Sequence, residues 1–168
     1  MAFDGITIAA MVKELHLNLD GGRFNKIAQP EADELLITGK GANGQCRLLL
    51  SASASLPLIY FTSKNKPSPM TAPNFCMLLR KHIGSARVSD IRQPGMERVV
   101  MFELEHLNEL GDPCKKVLIM ELMGKHSNII FCDDKGMILD SIKHVSSHMS
   151  SVPVSYTHLR AHETLSDL

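Results

Sequence analysis

Glu121-Leu122-Met123-Gly124-Lys125-His126-Ser127-Asn128, followed at once by Ile129-Ile130-Phe131, is the stretch whose reading decides how this chain folds. An apolar run leads in, four polar side chains follow one glycine, and a second apolar run leads out. A surface loop is not flanked by core on both sides, and a plain core strand does not carry four polar groups in a row. The run therefore predicts two buried strands joined by a short turn. Polar groups held between such strands must be hydrogen-bonded or aimed at a ligand. Two readings follow: a tight turn whose side chains satisfy its own backbone, or a set of groups presented to a partner.

Working outward, the second half reads as strands throughout. Val88 to Gln93, Arg98 to Leu104, Lys116 to Leu122 and Asn128 to Cys132 are separated by Pro94-Gly95, by Gly111-Asp112-Pro113 and by the quoted run. Asp133-Asp134-Lys135-Gly136 turns the chain into Met137 to Leu139. The first half opens with a helical stripe, Ile6, Ile8, Met11, Val12, Leu15 and Leu19. Asp4 stands as its N-cap or first-turn acid, and Gly21-Gly22 ends it. Strand-like runs follow at Arg23 to Gln29, Glu34 to Thr38, Cys46 to Ser51 and Leu58 to Thr62, with Gly39 to Gly44 as a hairpin-type loop. Lys64 to Pro73 is an extended linker into a second helix from Asn74 to about Gly84, capped by Thr71 or Asn74. Its face is Phe75, Leu78, Leu79 and Ile83. Two helices among short antiparallel strands predict an α+β domain built on an antiparallel sandwich.

Bulk composition narrows the function. A chain of 168 residues with 44% apolar content supports a real core. Lys+Arg and Asp+Glu both number 18, so any basic surface must come from local segregation. There is no run long enough to span a bilayer and no signal-peptide pattern, which points to the cytoplasm. Cys46, Cys76, Cys114 and Cys132 lack paired-ligand spacing and read as buried free thiols, not as a metal site or disulfides.

Three groups of residues offer chemistry. Arg80-Lys81-His82 sits on the outward side of the second helix, with Arg87 just beyond; Arg80 and Lys81 suit phosphate contact or a solvated helix face. Met96-Glu97-Arg98 follows the Pro94-Gly95 turn. Adjacent residues at a strand entrance point to opposite faces, so Glu97 and Arg98 are matched to outside groups more than to each other. They suit a phosphate, a base edge or a 2′-hydroxyl, or stand as solvated turn charges. Lys125 and His126 add a point charge and a titratable donor, without the spacing of a P-loop. No acid–base pair or nucleophile triad surrounds them, so a hydrolase is not supported.

The C-terminal segment stands apart. Val154-Ser155-Tyr156-Thr157-His158-Leu159-Arg160-Ala161-His162-Glu163-Thr164 resembles a translated transposase-type sequencing adapter, and Leu165 to Leu168 fits its continuation. The expectation is a native segment over 1–152 and a non-native tail over 153–168. Without the tail the basic and acidic counts are 17 and 16, so the charge argument is unchanged.

Taken together, these residues resemble the N-terminal domain of the NFACT family, which includes bacterial fibronectin-binding protein A homologues acting in ribosome-associated quality control. The resemblance covers residues 1–152. It is carried by Phe3-Asp4-Gly5, Leu48-Leu49-Leu50-Ser51-Ala52, Phe75 to His82, Glu97-Arg98-Val99-Val100, Glu109-Leu110-Gly111-Asp112, Glu121 to Ile130 and Ile138 to Val145. It implies a fold similar to the N-terminal domain of formamidopyrimidine-type DNA glycosylases. It also implies a non-catalytic role on the large ribosomal subunit: recognising an obstructed peptidyl-tRNA and recruiting alanyl-tRNA for alanine tailing. No cofactor or metal is implied. The family's tRNA-recruiting acid–arginine pair maps onto Glu97-Arg98, one methylene longer than the usual Asp-Arg, and its N-terminal aspartate onto Asp4. Arg80, Lys81, Lys125 and His126 are further candidate RNA contacts. The resemblance also implies downstream regions absent from these residues: a helix-hairpin-helix region, a coiled coil and a C-terminal domain.

Two other functions compete. A DNA glycosylase uses an N-terminal proline amine with an adjacent glutamate, whereas this chain starts Met1-Ala2-Phe3-Asp4. A fibronectin-binding adhesin would need surface display, for which no signal peptide, anchor or repeat is present.

Overall fold

The computed structural model describes residues 4–144, so Phe3, Val145 and the adapter-like tail lie outside the described residues. The element order is α1 (Gly5–Leu19), β1 (Arg23–Glu31), β2 (Glu34–Gly41), β3 (Gly44–Ser51), β4 (Leu58–Phe61), α2 (Asn74–Ile83), β5 (Arg87–Arg92), β6 (Val99–Leu107), β7 (Pro113–Glu121), β8 (Asn128–Asp133) and β9 (Ile138–Ser141). A single 3-10 turn, Gly124–His126, joins β7 to β8. The class is α+β, as the alternation of patterns predicts. No described helix is long and apolar enough to cross a membrane.

The expected two-layer sandwich takes a different form. The nine strands of the described residues join one antiparallel sheet in the order β4-β3-β2-β1-β5-β6-β7-β8-β9. Each half is a meander of consecutive hairpins, and α2 carries the chain from one edge back to the middle. The seam is short: Arg23 is the sole register partner of Arg87 between β1 and β5. Val88 N donates to Gly22 O at 2.7 Å and Phe24 N to Ala86 O at 2.9 Å, completing it. This pairing joins residues more than sixty positions apart, and local periodicity carries no information about it.

One core runs under both halves. Leu35, Ile37, Leu48 and Leu50 of the first meander and Phe102, Leu104, Leu118, Met120 and Phe131 of the second share it with Leu15 of α1 and Leu79 of α2. The alternate residues of β6 to β8, Val99, Met101, Val117, Ile119, Ile130 and Cys132, form a second cluster. These central strands are therefore buried on both faces, which explains why their sequence reads as unbroken apolar runs. In α2, Phe75, Cys76, Leu79 and Ile83 are buried, each apolar side chain contributing roughly 1.5–3 kcal/mol where fully covered.

Details depart from the pattern. Ile6 is 73% exposed and not part of the α1 stripe, whose buried members are Ile8, Leu15 and Leu19. Neither Thr71 nor Asn74 caps α2: Pro73 holds the N-cap position without a side-chain bond. The expected Gly39 to Gly44 loop is mostly strand, since β2 runs to Gly41 and pairs directly with Gly44. Of the four free cysteines only Cys76 and Cys132 are buried; Cys46 and Cys114 are half-buried. The linker between β4 and α2 is tied down by an ion pair of Lys66 with Glu34 at 2.7 Å.

Candidate nucleic-acid interface

The start of α1 and the turn before β6 are built against each other. Asp4 is extended (φ −98°, ψ 178°), and its Oδ1 accepts the Thr7 amide at 2.8 Å, satisfying one of the free N–H groups that open a helix. That backbone bond holds the Asp4 carboxyl below its ordinary range. Gly5, the next residue, lies against the Met96 carbonyl so closely that no β-carbon fits there. Gln93 then clamps the two segments: its Nε2 donates to Gly5 O at 2.9 Å and to Glu97 O at 2.7 Å. Pro94 O accepts from Glu97 N at 3.2 Å, and Gly95 supplies the positive φ of 57° that turns the chain. Glu97 and Arg98 are exposed, and their side chains have no partner among the described residues. Three residues expected to act together, Asp4, Glu97 and Arg98, thus share one corner.

The Gly124 to Asn128 run lies at the same end of the sheet. Leu122 N donates to Arg98 O at 2.9 Å, extending the β6–β7 ladder by one rung beyond Val99 and Glu121. Gly124 has φ 60°. Ser127, buried, accepts from Met123 N at 2.9 Å and donates to Gly124 O at 2.6 Å, closing the turn. Asn128, also buried, accepts from Ile129 N and Lys143 N and donates to Lys143 O, fastening β8 to the chain after β9. The tight-turn reading holds for part of the run. Ser127 and Asn128 satisfy backbone, while Lys125 and His126 stand exposed on the 3-10 turn.

Arg80 and Lys81 are elsewhere. They face a groove at the far end of β6, where Glu105, His106 and Leu107 form one wall. From Arg98 to His106 is eight residues of extended chain, about 26 Å. Arg80 is not a free solvated side chain, because its Nε donates to Ile27 O at 2.7 Å.

Two contributors escaped the sequence reading. Gln93 has no signal in isolation; its role exists through the Glu97 carbonyl four residues on and the Gly5 carbonyl 88 residues away. Glu121 is fully buried at the register position opposite Val99, next to Arg98, and an acid inside the run Leu118 to Leu122 is the signal that could have marked it. As for metals, His16, Asp20 and Asp90 place ligand atoms within 4.8 Å of one another. His16 already pairs with Asp20 at 3.5 Å and Asp90 at 4.0 Å, so surface ion pairing accounts for the group.

Comparison with known proteins places the chain in a family. The Rqc2 homolog RqcH of Bacillus subtilis (strain 168) is 40% identical over 154 residues, covering 90% of this chain and 27% of that protein. The Rqc2 homolog RqcH of Streptococcus suis (strain 05ZYH33) is 37% identical over 169 residues, covering 98% and 30%. The chain thus spans less than a third of the length of these curated relatives. The crystal structure of the N-terminal domain of fibronectin-binding protein PavA from Streptococcus pneumoniae superposes with a TM-score of 0.83 at 38% identity, covering 86% of this chain and 55% of that one. A family model described as NFACT N-terminal and middle domains matches residues 4–156, and the chain belongs to that family.

Proposed function

We propose that this chain is the tRNA- and large-subunit-binding N-terminal module of a cytoplasmic ribosome-associated quality-control factor. In this reading it helps recruit alanyl-tRNA to a large subunit that carries an obstructed peptidyl-tRNA, so that the stalled chain acquires an alanine tail. The ribosome forms the peptide bonds, and the module is not an enzyme. A scaffold similar to the N-terminal domain of formamidopyrimidine-type glycosylases is part of the same reading.

The observation that carries it is the corner formed by Asp4-Gly5 and Met96-Glu97-Arg98. Family resemblance assigns tRNA recruitment to these positions, and Gln93 fastens them together with both charged side chains of the pair free to meet a ligand. Arg98 suits a phosphate or a base edge, and Glu97 a base amino group or ribose hydroxyl. The names of the relatives, Rqc2 homolog RqcH, support the coarser reading of a quality-control factor.

Arg98→Ala in the complete protein tests it. Alanine tailing of stalled chains is expected to be lost while association with large subunits persists; unchanged tailing would overturn the reading. The second reading is fibronectin binding, favoured by the name of the PavA structure. Fractionation separates the two: recovery mainly at the cell surface, instead of with large subunits, selects the adhesin.

A further inference from the structure

The groove at the far end of β6 is unlike the rest of this surface. It encloses about 880 Å³, and Arg23, Lys26, Arg80, Lys81 and Arg87 line it against one carboxylate, Glu105. The whole chain has equal numbers of acidic and basic residues, so five cations to one acid is a strong local segregation. The single acid is already engaged by Arg87 at 2.8 Å.

The guanidinium groups are held in place by the fold. Arg80 Nε donates to Ile27 O at 2.7 Å, and Arg23 Nη1 donates to Ser85 O at 3.0 Å. Each of these arginines spends one of its five N–H donors on a main-chain carbonyl and keeps the others for a ligand. Anchoring a long side chain beforehand removes part of the ordering cost of binding. Lys26 and Lys81 are exposed, with no side-chain partner among the described residues. Four cations, Arg23, Lys26, Arg80 and Lys81, therefore line one concavity with no ion pair among the described residues.

The lining also shows what the ligand is not. It contains no Phe, Tyr or Trp. Its two imidazoles, His82 and His106, meet each other at 6.1 Å, edge to face. His106 is further occupied on both nitrogens, by Lys116 Nζ at 3.2 Å and by Leu107 O at 3.1 Å. No Phe, Tyr or Trp face is offered for base stacking, and the charged lining favours recognition of the sugar–phosphate backbone.

We propose that this groove is a second RNA site that grips backbone phosphates without reading bases. It rests on the functional reading above in taking the polyanion to be RNA. Its distance of about 26 Å along β6 from Arg98 lets one RNA engage both ends of the sheet, selected at the Glu97-Arg98 corner and held at the groove.

The test is fluorescence anisotropy on the full chain, with deacylated tRNA and with a short RNA hairpin of arbitrary sequence, across a salt series. Lys26→Glu/Lys81→Glu removes two cations that make no internal contact, and Lys26→Gln/Lys81→Gln does so without charge reversal. Both variants are expected to weaken both RNAs, by roughly tenfold or more for the charge reversal at low salt, and to lower the salt slope by roughly two. Unchanged hairpin affinity and slope in a folded variant would overturn the proposal. So would displacement of the hairpin by polyglutamate of matched length as efficiently as by RNA, which would assign the groove to an acidic protein. Failure of the functional reading is distinct: tailing would survive Arg98→Ala while hairpin binding still falls in the groove variants.

Discussion

Gly5 and Met96 touch backbone to backbone: a β-carbon on Gly5 would fall well inside van der Waals contact with the Met96 carbonyl oxygen. Gly5 has no positive φ, so glycine is required here by space alone. The obstacle is main chain, which cannot swing aside as a side chain can. Gly5→Ala is therefore expected to cost about 1–3 kcal/mol and to push the start of α1 away from Glu97-Arg98. Urea unfolding would show a lowered midpoint with an unchanged slope, and tRNA binding would weaken in the fraction that remains folded.

Gln93 acts on the same contact through hydrogen bonds. Removing its amide leaves the Gly5 and Glu97 carbonyls without that donor, at a cost of about 1–3 kcal/mol. Gln93→Ala should therefore resemble Gly5→Ala in both stability and binding, although position 93 contacts no ligand in the proposed site. A variant of wild-type stability would show that the clamp is dispensable.

Within the Gly124 to Asn128 run, stability and exposure separate cleanly. Asn128 makes three side-chain hydrogen bonds while buried, so Asn128→Ala is expected to lose about 2–4 kcal/mol. Lys125→Ala and His126→Ala alter exposed side chains and should stay within about 0.5 kcal/mol of wild type. Chemical denaturation of the three variants checks the contrast; a comparable loss at Lys125 would show that its side chain is structural.

These contrasts mark where sequence reading succeeds. The α1 cap at Asp4, the buried face of α2 with its 3.6-residue period and the unbroken apolar runs of β6 to β8 are local patterns, and they appear as such. What stays hidden depends on partners distant in sequence. The β1–β5 seam joins residues more than sixty positions apart. Ile6 fits the helical stripe yet remains exposed, at the corner where Gly5 meets Met96. Arg80 reads as an outward cation, and only the position of the Ile27 carbonyl reveals that it is held. The Glu97-Arg98 pair stands out only through family resemblance; its charges alone equally fit a solvated turn.

Glu97→Asp shortens an exposed, unpartnered side chain and restores the usual family pair. Stability should be unchanged within about 0.5 kcal/mol. Affinity for tRNA is expected to rise by about 1 kcal/mol or less, since charge is retained and only reach differs. Weaker binding by the aspartate variant would mean that the longer acid is matched to this protein's own corner.

Acid should destabilise the fold in two stages, and the first belongs to the groove. His82 lies below the ordinary 6.5 chiefly through burial, then through Lys116, His106 and Lys81, with Glu109 opposing. His106 is also lowered, chiefly by burial, with the Leu107 carbonyl opposing and Lys116 adding to the effect. A lowered imidazole means that the unfolded chain takes up protons first as pH falls. Unfolding then binds protons, and stability rises with pH across that window. The contribution is complete above about pH 6.5 and drains away as pH drops through the folded values. Asp4 and Glu105, lowered by the Thr7 and Arg87 hydrogen bonds, lose theirs only at more acid pH, below their ordinary 3.8 and 4.5. Melting temperature measured from pH 7.5 downward should therefore start to fall near 6.5. In His82→Gln/His106→Gln that first decline should flatten while the later, carboxylate decline persists. A wild-type curve that is level between pH 7 and 5 would show that the groove accepts protonated imidazoles without strain.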